Sequence, residues 1–169
     1  AKTLPQKADW HISSLQRCRQ TAALFRYVLR PESETMHSAL EEQDFGQWHS
    51  QKIEQVWEQI KQGPRHNWGF IMPDMVPPQG ESFDAQISRV AKWCQEIEAG
   101  SYTNPQIVLT HAGTMRAVMA HMPGLSSARA QCLAIPHFGC LHAHLMDAAQ
   151  AGQYHCGAWQ LQSLRPLLA

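Results

Sequence analysis

The sequence predicts an α/β domain, on three observations. Three segments carry apolar residues at spacings of three and four, the period of a helix with one buried face. Short apolar runs of strand character alternate with them, which is the pattern of α/β architecture. The third observation is the run Ile107-Val108-Leu109-Thr110, which ends abruptly in His111-Ala112-Gly113. It is too short for a buried helix, rich in β-branched residues and uninterrupted, so it is expected as an interior parallel strand.

The elements follow in chain order. Residues Trp10 to Ser13 are strand-like, and Ser13 or Ser14 is placed to cap a following helix. That helix buries Leu15, Cys18, Ala22, Phe25 and Leu29, and Pro31 ends it because proline pushes Arg30 out of the helical region. A polar segment and then Leu40 to Ser50 come next. Ile53, Val56, Trp57 and Ile60 give a second helix that stops near Gly63-Pro64. Residues 63–80 read as an irregular loop closed by Pro77-Pro78-Gln79-Gly80, and loops this long are often functional. A third helix starts near Ser82, with Phe83, Ile87, Val90, Cys94 and Ile97 as its buried stripe and Gly100 as a C-cap. After the strand ending at Thr110 and its helix, Pro123-Gly124 is a breaker. Cys140 to Met146 alternates as a strand, with Ala158 to Leu164 as its hairpin partner across a turn near Gly152. The 169 residues are expected to form one domain, 1–169.

Composition narrows the function classes. Fourteen basic and 14 acidic side chains cancel, which argues against a nucleic-acid partner held by bulk charge. Locally the balance is uneven. Four arginines and no acid lie between Trp10 and Arg30, and seven acids and one lysine between Glu32 and Glu58. These read as two solvated helix faces, or as a basic pocket wall if one arginine points inward. Five cysteines at wide spacing, without C-x-x-C, argue against a disulfide framework and fit a reducing cytoplasm. No apolar stretch approaches a membrane span, so no membrane partner is expected. Nothing in the sequence specifies an oligomeric state.

His111 would stand at the carboxyl end of its strand, where open α/β sheets bind ligands. The N–H groups of Ala112, Gly113 and Thr114 would open the next helix, and helix N-termini attract anions. Alone, the motif favours a plainer reading, a strand-end histidine satisfied by a neighbouring carbonyl. Three further pieces accompany it: Ser13-Ser14-Leu15-Gln16-Arg17-Cys18-Arg19-Gln20-Thr21-Ala22, Leu40-Glu41-Glu42-Gln43-Asp44-Phe45-Gly46-Gln47-Trp48, and Pro78-Gln79-Gly80-Glu81-Ser82-Phe83. In this order, with His111-Ala112-Gly113-Thr114-Met115-Arg116 last, they resemble the histidine phosphatase (phosphoglycerate mutase-like) superfamily, in particular short members such as the α-ribazole phosphatases.

The resemblance implies a three-layer α/β fold, a mostly parallel central sheet flanked by helices, and phosphoryl transfer through a phosphohistidine without metal or other cofactor. It makes Arg17 the arginine that grips the phosphate and Glu42 the acid that protonates the leaving oxygen. His111 becomes the second histidine that bonds the phosphoryl oxygens, with Ala112 beside it. The substrate class is a small-molecule phosphate ester. The family's nucleophile lies in an R-H-G motif on a first strand, and no R-H-G occurs here. The nearest string, Arg65-His66-Asn67, follows Gly63-Pro64 inside the irregular loop and reads as coincidence. Ala1 to Leu4 resembles the tail of the family's first helix. The chain is therefore expected to lack that first strand and most of that helix, with its nucleophile upstream of Ala1, and to be inactive as written. Two alternatives stand beside the phosphatase: a phosphoglycerate mutase-type phosphotransferase, and an inactive phosphate-ligand binding or regulatory protein.

Phosphoryl transfer asks mainly for positioning and charge stabilisation. A guanidinium suits it because it can bind two phosphate oxygens at once. An imidazolium at His111 would add charge to the same oxygens. Plainer readings exist for each residue: a surface arginine for Arg17, solvated loop acids for Glu42 and its neighbours Glu41 and Asp44, and a loop-to-helix junction for Gly80 and Glu81. A rival chemistry is zinc at His142 and His144, which share a strand face near His137 and Cys140. With ten histidines in the chain, chance proximity is the more economical reading of that group.

Overall fold

The computed structural model describes residues 4–60, 72–146 and 158–167. Along them run β1 (Asp9–Ser13), α1 (Gln16–Leu29), β2 (Ser33–His37), α2 (Ile53–Gln59), α3 (Phe83–Ala99), β3 (Gln106–Leu109), α4 (Ala112–His121), α5 (Ser127–Gln131), β4 (Gly139–Leu145) and β5 (Trp159–Pro166). The expected end of the second helix near Gly63-Pro64, most of the 63–80 loop with Arg65-His66-Asn67, and the turn near Gly152 lie outside the described residues.

The expected α/β architecture is present. Strands β2, β1 and β3 form a parallel sheet in that order, and β4 pairs antiparallel with β5. Alternation along β1 explains the layers. Trp10 and Ile12 face one side and pack with Cys18, Ala22 and Leu29 of α1. His11 faces the other, against His37 of β2 and the edge of Trp93 on α3. On that side α3 and α4 share a core of Phe83, Val90, Trp93, Cys94, Ile97, Ala117 and Ala120. The hairpin β4–β5 joins this core through Leu145 and Trp159.

Four expectations need correction. Ile107 to Thr110 was expected as an interior strand. β3 is parallel to β1 but sits at the end of the three-strand order, and Val108 is 38% exposed. Among the described residues no strand covers its other side, so an apolar run alone does not make a strand interior. β2 was read as a polar segment because Ser33 to Met36 are all exposed; its strand form comes from pairing with β1, from Asp9↔Ser33 to Ser13↔His37. Neither Ser13 nor Ser14 caps α1, whose N-cap position is Leu15, because their hydroxyls bond His111 and Glu41 instead. Gly100 is the C-cap residue of α3 as expected, and what needs correction is the reason: its backbone is extended, so the left-handed freedom of glycine is not what stops the helix.

Two motif segments far apart in sequence are joined backbone to backbone. Gln47 N–H donates to Pro78 O at 2.9 Å, and Glu81 N–H to Asp44 O at 2.8 Å. Gly46 sits between them at φ +50°, where an added Cβ would collide with the Pro78 carbonyl. Gly46→Ala is therefore expected to destabilise the fold by about 1–3 kcal/mol, the usual cost of a left-handed non-glycine residue under crowding. Urea denaturation checks this, and a midpoint equal to that of the unsubstituted chain would contradict the packing described.

Candidate functional site

His111 ends the segment that follows β3 and is the N-cap residue of α4. It is buried, 8% exposed, and both ring nitrogens are engaged. Arg17 Nε donates to Nδ1 at 2.9 Å. A guanidinium cannot accept, so Nδ1 is the unprotonated nitrogen and Nε2 carries the hydrogen. Nε2 then donates to Ser13 Oγ at 2.8 Å. Cys18 Sγ lies 3.4 Å from Nε2, and burial pushes its thiol up, so the contact is neutral. Burial first, and Arg17 second, hold the His111 imidazole below its usual range. The imidazolium expected from the sequence is thus not the resting form: a ring shut away from water beside a guanidinium is neutral.

Arg17 lies in the first turn of α1, as expected, with its shaft exposed and its Nε turned inward. Ala112 occupies the first position of α4, and among the described residues nothing accepts from its N–H. The next N–H, of Gly113, donates to Glu42 Oε2 at 3.1 Å. A carboxylate on a helix N-terminus is favoured by the macrodipole and by the free N–H groups there. An added Cβ at Gly113 would meet Glu42 Oε1, so a larger residue there would push the carboxylate aside. Arg17, Glu42, His111 and Ala112, spread over almost a hundred residues of sequence, thus gather around the start of α4.

The Glu42 segment is held by residues that sequence reasoning missed. Thr110 Oγ1 donates to Leu40 O at 2.7 Å and Thr114 Oγ1 to Glu41 O at 2.8 Å. Arg89 donates to Ala39 O at 2.8 Å and Glu41 O at 3.2 Å, and also forms an ion pair with Glu81. Gln86, fully buried, donates from Nε2 to Glu42 Oε1 at 3.3 Å and to Thr114 Oγ1 at 3.1 Å. A signal for Gln86 existed: a polar side chain sits on the apolar face between Phe83 and Val90. Glu81 sits at the expected loop-to-helix junction and ties α3 to the Glu42 segment. Glu41 accepts from Ser14, and Asp44 Oδ1 accepts from Gly46 N–H at 2.8 Å, so neither substitutes for Glu42.

Beside Glu42 opens a cavity of about 220 Å³, lined by Phe45, Phe83, Gln131 and Arg116 as well as Gly113. The rival zinc group does not close. His142 and His144 rings lie 5.4 Å apart, but among the described residues no cluster of three metal-ligating side chains forms there or elsewhere. Among the described residues no helix is long and apolar enough to cross a membrane.

A family model described as the histidine phosphatase superfamily (branch 1) matches residues 2–152. No curated protein matches the sequence. Among solved structures, a mycobacterial glucosyl-3-phosphoglycerate phosphatase is similar in fold, at 18% identity and TM-score 0.73, over 95% of this chain and 76% of that one. The same mycobacterial protein in complex with inorganic phosphate matches at 20% identity and TM-score 0.70, over 96% and 77%. The α-ribazole phosphatase from Shigella flexneri matches at 19% identity and TM-score 0.62, over 80% and 66%.

The neutral, buried His111 has a measurable consequence. Its folded pKa lies below the unfolded value of 6.5, so as pH falls through that value the unfolded chain binds the proton first. Stability is then fully present above the unfolded pKa and is lost as pH falls toward the folded one. His37, lowered by burial and by the neighbouring His11, acts in the same direction. The melting temperature is expected to drop between about pH 7.5 and pH 5.5, and His111→Gln to flatten part of that slope. A slope unchanged by the substitution would mean that His111 is not held neutral.

Proposed function

The chain belongs to the histidine phosphatase superfamily, and on that premise we propose that its site takes the phosphoryl group of a small phosphomonoester at the start of α4. Membership supports phosphoryl transfer of the phosphatase or mutase kind. The finer reading is a metal-independent phosphomonoester hydrolase working through a phosphohistidine. One observation carries it: an arginine, a histidine, an open helix N–H and a carboxylic acid meet at a single helix N-terminus, a natural anion site.

Each residue has a distinct task. Arg17 lends its guanidinium to two phosphoryl oxygens, and being always charged it does so at any working pH. The Ala112 N–H and the α4 dipole add fixed partial positive charge. An arriving dianion favours the protonated form of His111, which then becomes a second cation on the oxygens it bonds. With the phosphoryl dianion beside it, Glu42 takes up a proton from solvent and passes it to the departing alkoxide, and Gly113 N–H and Gln86 aim its carboxyl group. Nothing in this chemistry asks for a metal.

The nucleophile is the missing part. No R-H-G stands in the sequence, and no residue matches the family's first histidine. A second reading is a phosphate-ligand binding protein that uses the same Arg17 and His111. Both readings share the anion site and part company on turnover.

Calorimetric titration with inorganic phosphate and with vanadate tests the site. Both anions are expected to bind, and Arg17→Gln to weaken them by about tenfold or more, the worth of a charged hydrogen bond. Absence of binding, or equal affinity in the Arg17 variant, would remove the phosphate-site reading. The 169-residue chain is expected to release p-nitrophenol from p-nitrophenyl phosphate negligibly. Fast turnover lost on adding a chelator would overturn the metal-independent mechanism.

A further inference from the structure

The cavity beside Glu42 is lined by a cation, Arg116, that has no ion pair among the described residues. Arg116 spends its Nε on Leu133 O at 2.8 Å. Its side chain is partly buried, and the wall it shares includes the rings of Phe45 and Phe83. A guanidinium in a partly apolar recess is costly unless an anion or strong acceptors meet it. Nε serves one carbonyl, and the terminal nitrogens remain to take a planar carboxylate in the paired geometry that guanidinium favours. Among the described residues the only carboxylate lining the cavity is Glu42, which is already held by Gly113 N–H and Gln86.

Position along α4 matters as much as charge. Gly113 and Arg116 are three residues apart and so share a helix face, with about 4.5 Å of rise between them. Gly113 adjoins the start of α4, where the phosphoryl group is proposed to sit; Arg116 stands one turn further on. Glu42, bonded to Gly113 N–H, and the two phenylalanines line the same cavity. A molecule anchored by phosphate at the helix start would place its alcohol part along this face, past the proton donor and toward the guanidinium.

We propose that Arg116 is a specificity residue, and that the cavity receives a phosphomonoester whose alcohol part has a short apolar body ending in a carboxylate. The inference rests on the phosphate site proposed above and adds a second, separate anion contact. The apolar body packs on Phe45 and Phe83. The carboxylate meets the terminal nitrogens of Arg116. Because the second charge is fixed one helical turn from the first, esters with a neutral alcohol part lose this contact.

Non-hydrolysable probes test this without requiring turnover. Benzylphosphonate and 4-carboxybenzylphosphonate differ only in the carboxylate, and inorganic phosphate serves as the reference for the phosphate site. In the unsubstituted chain the carboxylated probe is expected to bind at least tenfold more tightly than benzylphosphonate at constant ionic strength. In Arg116→Gln that ratio should collapse to within about twofold, and in Arg116→Lys, which keeps the charge without the planar fork, it should fall to an intermediate value. If inorganic phosphate binds but the two phosphonates bind equally, the carboxylate subsite is wrong and the phosphate site stands. If the carboxylated probe keeps its advantage in Arg116→Gln, another residue reads the carboxylate and the assignment to Arg116 is overturned. If inorganic phosphate fails to bind, both readings fall together. The comparison of the two phosphonates on the unsubstituted chain can overturn the proposal even if both Arg116 variants fail to fold.

Discussion

Residues 39 to 42 run from the short 3-10 turn Ser38–Leu40 into a strap, and the carbonyl oxygens of Ala39, Leu40 and Glu41 have no ladder to join. Backbone oxygens shut away from water must find donors elsewhere. Here the donors are side chains from three places: Thr110 after β3, Thr114 on α4, and Arg89 and Gln86 on α3. Satisfying the strap therefore fixes the relative position of α3 and α4, which form the main contact in this half of the domain. It also fixes Glu42, because the strap cannot slide without breaking several buried bonds at once. The site depends on this accounting more than on any single charged contact. Polar networks of this kind specify one arrangement when every member is satisfied. The unpartnered Gln86 Oε1 marks where this one is incomplete.

The electrostatics at the start of α4 are balanced by proton placement. Arg17 and His111 touch, and both could be cationic, yet burial and mutual repulsion leave only the guanidinium charged at rest. Ser13 and Cys18 close the other side of the imidazole with groups of no net charge. The pair therefore carries one positive charge when empty and has the capacity to carry two when an anion arrives. A site arranged this way avoids the cost of two unpaired buried charges in the absence of ligand.

Much of the fold was legible because its signals are local. The stripe on α3 and the proline stop after Arg30 are statements about single segments, and single segments can be read one at a time. Arg17, Glu42, His111 and Ala112 were legible because each lies in a short string with recognisable company. Less visible were features that exist only between segments. β2 is a strand because β1 offers it a hydrogen-bonding edge; its own residues, exposed from Ser33 to Met36, carry no strand period. Ser13 was assigned to a helix cap on local grounds, but a histidine 98 residues away outcompetes the cap for its hydroxyl. The neutral state of His111 likewise depends on burial and on the approach of Arg17, neither of which a sequence displays. β3 shows the converse error, since an apolar run reports what a strand tolerates on its faces and says nothing of its neighbours.

The contact between the Gly46 and Gly80 segments acts as a clasp at the base of an excursion of the chain. Gln47 and Pro78 are bonded across it, so the thirty residues between them begin and end at almost the same point. Closing a loop costs entropy that grows only with the logarithm of its length. A change in the length of that segment would therefore alter the closure cost little. The clasp ties the strap and Glu42 to a base that does not depend on that length. Diversification of what the site admits could then proceed in the excursion without disturbing the chemistry beneath it.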